Sequence, residues 1–413
     1  MRVQLTRSAV LLAIASVAFP AAAQVAEVDT AQTVFYEAPT RTHMFVYSPS
    51  ADVQASPWPW LDVRGGWEAD VVSGASVKVK AGPLFGATHS ADVVTTASVR
   101  DLRNLGRGEF TVKGDTTALT AGYAYGTEHD YRSHSIHASA RTDVFQHNTQ
   151  LQLSYAHNFD SVCDRVQSSS AVDPTQWAAL ETSTGCFTSS GGRRARPIAI
   201  DTYEASWSQS WTPVVATEVT YSAQIVDGFQ SDPYRSVVLG EGLLAQEHEP
   251  NERAREALTV RVAWYLRAIK GALRVALRGY HDTWAIDSGS AELEAEKSVG
   301  EALRILLRGR IYRQTGAVFW SDDYTGGSAP LGPRGQYWSG DRELSPLTSW
   351  LLGLRAVWSL TPVNKRLLSV LESLKVAGSA HVLASSYDEY TLAGIPISNA
   401  RAYVGTLSLG ASF

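Results

Sequence analysis

The stretch ALTVRVAWYLRAIKGALRVALR, residues 257–278, decides how the rest of the chain is read. In its first half Leu258, Val260, Val262, Trp264 and Leu266 hold one parity, and Thr259, Arg261, Ala263, Tyr265 and Arg267 hold the other. A strand sends alternate side chains to opposite faces, so one face here is apolar throughout and the other polar. After a turn at Ile269-Lys270-Gly271 the pattern returns, with Leu273, Val275 and Leu277 set against Arg274, Ala276 and Arg278. The pair reads as a hairpin. The same alternation recurs in QLQLSYAHNF (150–159), TYEASWSQSW (202–211) and EVTYSAQI (218–225).

A sandwich and a barrel both use such strands, and the connections separate them. Tight turns at 56–60, 113–117, 145–149 and 212–217 alternate with long polar links at 73–98, 161–197, 229–252 and 323–345. Short turns at one end and long loops at the other mark a transmembrane barrel, with the short end periplasmic. No apolar run reaches the ~18 residues of a membrane helix, whereas Trp 12, Tyr 17 and Gly 32 suit girdles and turns. The expected fold is an all-β, up-and-down antiparallel barrel of about 16 strands, with 14 or 18 compatible with the pattern. The segments are 27–37, 42–55, 60–72, 99–113, 116–127, 132–144, 149–160, 198–211, 215–228, 253–267, 271–285, 290–298, 301–320, 346–360, 374–386 and 399–413. Leu367, Leu368, Leu371 and Leu374 instead have helical spacing, so 364–374 reads as a short periplasmic helix or a strand.

The N-terminus gives the address. Arg2 and Arg7 precede the apolar run SAVLLAIASVAF, and Ala21-Ala22-Ala23 supplies a small-residue cleavage site. Residues 1–23 are expected to be a secretory signal peptide cut after Ala23, leaving 24–413 as the barrel domain. Losing the two arginines moves the net charge from −5 to −7, and no basic stripe marks a nucleic-acid surface. The expected location is a bacterial outer membrane. Cys163 and Cys186 lie inside the longest external loop, flanking a stretch that holds Trp177, and an oxidising compartment favours a disulfide over two thiols.

Six short motifs occur in order: DVVSGAS (70–76), SVRDLRN (98–104), EHDYRSHS (128–135), NFDSVCD (158–164), DPYR (232–235) and YHDTWAID (280–287). Through them nearly the whole mature chain resembles the outer-membrane proteins grouped as domain of unknown function 3570. The resemblance implies an outer-membrane β-barrel of a Gram-negative bacterium and implies no activity.

If the apolar parity faces lipid, the other parity lines the lumen. The later strands then contribute Arg261, Arg267, Arg274, Arg278, Arg304, Arg308, Arg310 and Arg355, with Glu292, Glu294 and Glu296 between them. The earlier strands are mixed and tilt acidic, with Glu68, Glu204 and Glu218 among Asp62, Asp70, Glu109, Asp143 and several arginines. Two readings stay open. The charges form a transverse field selecting small polar or charged solutes in a porin-like pore, or they form cross-strand ladders that stiffen the wall. The rival to a pore is a structural or surface-interaction barrel with an occluded lumen and working external loops.

Other residues carry less. His129, His134 and His137 lie near Glu128 and Asp130, but alternation puts His134 and His137 on opposite faces, so no metal site is expected. Tyr131-Arg132 and Tyr234-Arg235 are candidates for lipopolysaccharide contacts or girdle positions. Glycines 326, 327, 332 and 335 make 323–345 turn-rich, either folded into the pore or standing outside. No nucleophile elbow, zinc-protease helix or phosphate loop occurs, so neither enzyme activity nor a cofactor is expected; His157, between Tyr155 and Phe159, is the residue on which a lipid-face hydrolase would turn. At the C-terminal end Tyr403, Leu407, Leu409 and Phe413 share the lipid parity and resemble the signal read by the barrel-assembly machinery. Outer-membrane lipid, lipopolysaccharide and that machinery are the expected partners.

Overall fold

A computed structural model describes residues 26–38, 44–74, 100–128, 131–164, 194–231, 236–239, 243–321, 336–360, 371–389, 391–392, 395–396 and 399–413. The first nine strands are β1 (Ala26–Ala38), β2 (Met44–Trp58), β3 (Leu61–Gly74), β4 (Arg100–Lys113), β5 (Thr117–Thr127), β6 (Tyr131–Val144), β7 (Thr149–Asp164), β8 (Arg194–Thr212) and β9 (Val215–Gly228). A small hairpin, β10 (Ser236–Leu239) and β11 (Leu243–Gln246), stands apart. The series resumes with β12 (Glu252–Leu266), β13 (Gly271–Asp282), β14 (Asp287–Val299), β15 (Leu303–Gln314), β16 (Leu347–Leu360) and β17 (Ser373–Tyr387). A second hairpin, β18 (Thr391–Leu392) with β19 (Ile395–Pro396), precedes β20 (Asn399–Ser412).

Sixteen of these strands form one closed antiparallel barrel in sequence order, β1 pairing with both β2 and β20. Closure follows from the solvent. Lipid offers no partners for backbone N–H and C=O groups, and a sheet without an edge pairs them internally. The seam ends where Phe413 N–H donates to the Ala26 carbonyl at 2.9 Å.

Each expected segment lands on a barrel strand, with three corrections. The segment 301–320 was too long: β15 ends at Gln314, and Ala317, Phe319 and Trp320 are buried in a loop cluster with Trp284, Ile286 and Leu344. The segment 271–285 ends at Asp282, because Ala285 turns the chain at φ 65°. Leu374 belongs to β17, in register with Leu360 and Ala411; most of the helix expected at 364–374 lies outside the described residues, as do residues 1–23.

One end of the barrel carries short turns. Pro59-Trp60 joins β2 to β3, Pro213-Val214 joins β8 to β9, and Gly300, at φ 66°, opens the turn from β14 to β15. Trp58, Trp60, Trp211, Trp264 and Trp358 ring that end, exposed, as interfacial indoles do. The two faces differ in what they meet. Leu258, Val260, Val262 and Trp264 stay 37–51% exposed on one face, an apolar belt suited to lipid. On the other face Glu27 and Asp29 of β1, Arg64 of β3, Glu296 of β14 and Arg355 of β16 line one cavity of about 430 Å³. Strands so far apart in the sheet share a cavity only inside the barrel.

Candidate functional site

The inner face of β12–β17 is built from in-register rows. Arg274, Glu294, Arg308, Gly353 and His381 form one row, and Ala276, Glu292, Arg310 and Leu351 form the row beside it. Cross-strand neighbours on one face sit close enough for long side chains to pair. Arg274 meets Glu296 at 3.0 Å and Glu294 at 3.7 Å; Arg308 meets Glu292 at 2.6 Å and Glu294 at 3.7 Å; Arg304 lies 3.9 Å from Glu296. The three glutamates of β14 are thus shared among three arginines. Gly353 makes room for one of these rows, since a Cβ there would sit 2.2 Å from His381 Nδ1. Arg278 and Arg310 face the same interior with no ion pair among the described residues, and Arg310 lies over the Tyr312 ring at 5.8 Å.

Arg261 pairs across to Glu218 of β9, while Arg355 lines the cavity with Arg304. Arg267 is a correction: it opens the 3-10 turn Arg267–Ile269 at the short-turn end and is exposed, because the strand stops at Leu266. On β12 two inward arginines escaped the sequence reading, Arg253 and Arg255. The parity of 257–266, carried a few residues toward the N-terminus, finds both.

The facing wall, β1–β9, is richer in carboxylates. Asp52 holds Arg107 at 2.6 Å and Arg64 at 3.6 Å, Asp62 holds Lys113 at 2.6 Å, and Glu109 accepts His137 at 3.2 Å. Gly66 permits the first of these, because a Cβ there would lie 2.5 Å from both Arg107 Nε and Asp52 Oδ1. Glu68 and Glu204 share this inner face in register with Ser50 and Ser154. His134 takes the outer face and bonds Tyr123 at 2.7 Å, so it and His137 do not converge. His129 and Asp130 lie outside the described residues.

Toward the long-loop end the described residues of five of the ordered motifs assemble into a wall. Asp70 accepts from Ser48 at 2.6 Å and meets Arg103 at 3.4 Å, and Arg103 reaches Glu128 at 3.7 Å. Tyr131 points inward and bonds buried Asp160, which removes it as an outward lipopolysaccharide or girdle contact; its parity is that of His137. Tyr234 and Arg235 lie outside the described residues. The YHDTWAID motif closes a knot. Asp282, buried, accepts from Arg253, from Tyr280 Oη at 2.7 Å and from Trp284 and Ile286 N–H at 3.0 Å.

Loops then fill part of this mouth. Trp338 pairs with His248, Gly340 N–H donates to Glu247 at 2.8 Å, and Arg342 grips Glu37 of β1 at 2.8 and 3.0 Å while lying 5.6 Å over Tyr387. Burial works against the charge on Arg342, but Tyr387 and Glu37 outweigh it and raise its pKa above the usual guanidinium value. Of the two placements open for the loop at 323–345, residues 336–345 take the folded-in one; 322–335 lie outside the described residues. Beneath them Phe35, Met44, Val46 and Ala402 pack inward as an apolar cluster.

On the outer face Asp201 accepts from Tyr155 Oη and meets His157 Nδ1, each at 2.7 Å. The in-register neighbours of His157 are Asp201 and Ile136, an acid and no hydroxyl nucleophile. Cys163 is buried and Cys186 lies outside the described residues. Tyr403, Leu407 and Leu409 are exposed on the outer face of β20, and Phe413 continues their parity.

Closure by sixteen strands, an apolar belt and a charged interior define a transmembrane β-barrel of the outer-membrane type. A sequence model of the family described as "Protein of unknown function (DUF3570)" matches residues 11–372, and the chain belongs to that family. No curated protein matches the chain. Among solved structures it is similar to a bacterial polysaccharide outer membrane secretin, at 9% identity over 94% of this chain and 98% of that one, TM-score 0.47. It is also similar to Pseudomonas aeruginosa OccK2 (OpdF) in complex with glucuronate, at 9% over 94% and 98%, TM-score 0.43. A Vibrio cholerae outer membrane protein, OmpT without loop L8, matches at 8% over 95% and 100%, TM-score 0.37.

Proposed function

We propose that the barrel lies in a bacterial outer membrane, short turns periplasmic and long loops external, and passes small polar or charged solutes through its lumen. Export follows cleavage after Ala23, and a Cys163–Cys186 disulfide pins the longest external loop. The observation carrying this reading is the cation-rich wall of β12–β17 opposite the acid-rich wall of β1–β9. Sixteen strands leave an interior too wide for side chains alone to fill, so those charges stay hydrated along a path. The folded-in loop at 336–345 narrows the external mouth.

Liposome swelling tests it. Proteoliposomes should swell in small sugars and amino acids at rates falling with solute size, and swelling should quicken in Arg342→Gln, which releases the loop. The packed loops and apolar cluster at that mouth favour the rival, an occluded barrel working through its surface; equal swelling of protein-free and protein-bearing vesicles, with either sequence, would establish it.

Phe413 is proposed as part of the signal that the assembly machinery reads. Its deletion should lower the heat-modifiable, membrane-inserted fraction severalfold, and unchanged insertion would remove that role.

A further inference from the structure

The charges of β14 are unevenly divided. Glu292 stands in register with Arg310, yet its carboxylate goes to Arg308 at 2.6 Å. Glu294 and Glu296 serve Arg274, Arg308 and Arg304. Arg310 and Arg278 are left with no carboxylate within ion-pair distance among the described residues, although both face the interior. A guanidinium on the wall of the lumen with no carboxylate within ion-pair distance is a standing attraction for an anion.

The surroundings suit one. Arg278 lies in a row with Thr259, Ser290, Tyr312 and Ser349, all hydroxyl-bearing. Ser290 separates Arg278 from Tyr312, so its short side chain leaves room between two large ones; neighbouring strands lie about 4.8 Å apart, which puts Arg278 roughly 10 Å from the Tyr312 backbone. Arg310, one row further in, lies 5.8 Å from the Tyr312 ring, which sets it beside the gap over Ser290. Above the gap Tyr312 Oη donates to Gln314 at 2.6 Å, and Gln314 in turn donates to the carbonyls of Glu343 and Ser345 in the folded-in loop.

We propose that Arg278 and Arg310, with Ser290 between them, form a binding station for small oxyanions, carboxylates or phosphates, directly beneath the loop. The station rests on the channel reading for access, and it names the class of solute that reading leaves open. A planar oxyanion takes paired N–H donors from guanidinium forks, with the hydroxyls completing its shell. The ion-paired arginines below it are neutralised by Glu292, Glu294 and Glu296 and do not hold an anion themselves.

Two measurements on the full-length protein separate this proposal from the one it rests on. In detergent, calorimetric titration with inorganic phosphate and, separately, succinate should show saturable binding, weakened about tenfold by Arg278→Gln or Arg310→Gln and little changed by Arg274→Gln. In planar bilayers under a potassium chloride gradient the reversal potential should report anion preference, reduced in the double variant R278Q/R310Q. Saturable binding with a sealed bilayer would support the station and overturn the channel. Conducting channels with no phosphate or succinate binding, and a reversal potential unmoved by the double variant, would overturn the station and keep the channel. A loss as large in Arg274→Gln as in Arg310→Gln would also overturn it, by making the effect one of wall charge alone.

Discussion

Two arginines of the same strand make ion pairs of opposite character. Arg253, at the outer end of β12, pairs with Asp282 at 10% and 0% side-chain exposure, under a Trp284 ring at 4.0 Å. Arg261, further in, pairs with Glu218 at 44% and 38% exposure. The first pair is one part of a dry knot that joins β12, β13 and the loop cluster of Trp284, Phe319 and Trp320. The second stays more than a third exposed on the inner face. A buried charge that loses its partner keeps the full desolvation cost, whereas an exposed one is rehydrated. The long-loop end of this barrel is therefore built as a folded domain is built, and the wall further in as an exposed row of charges.

That contrast can be broken in order of expected effect. Asp282→Ala strips Arg253, Tyr280 and two backbone donors of their acceptor, and should cost about 3–5 kcal/mol in urea unfolding from lipid vesicles. A loss below about 1 kcal/mol would show that the outer end is wet after all. Next, a cation placed on the lipid face, Leu277→Arg, should cost about 2–4 kcal/mol if its depth is near the bilayer midplane. Its neighbour Ala276→Arg, facing the lumen, should cost little in the same assay; equal costs would mean the faces are assigned wrongly. The smallest change is Arg261→Gln, worth at most about 1 kcal/mol in stability, and less in high salt.

What was legible in the sequence follows the same division. Parity alone assigns both faces of β12 and β13, because a single-residue alternation is written locally. The inner wall was therefore readable down to its arginines, except where the strand ended sooner than the pattern, as at Arg267. The partition of ion pairs was not readable: Glu292 serves Arg308 and not the in-register Arg310, a choice made by side-chain geometry. The outer end was least legible. Ala317, Phe319 and Trp320 continue the apolar pattern past β15, yet Phe319 and Trp320 are adjacent and both buried, which a lipid-facing strand cannot arrange. Arg342 and Glu37 are 305 positions apart, and nothing local in either announces the other.

Five of the six ordered motifs have described residues on that boundary. Asp70, Arg103, Glu128, Tyr131, Asp160 and Asp282 come from five of the six motifs, and each is engaged in the wall or knot at the outer end. Their common work is to hold the mouth and its loops in place. The inner arginines fall outside these motifs.

The proposed channel is a hydrated, charged passage behind a mouth narrowed by a pinned loop. Single-channel recording of the purified protein in planar bilayers tests it most directly, comparing the native sequence with Glu37→Gln. Discrete conductance steps are expected, larger in Glu37→Gln because the Arg342 grip is gone. A bilayer that stays sealed with both proteins, at doses where folded barrel is shown to be inserted, would contradict it.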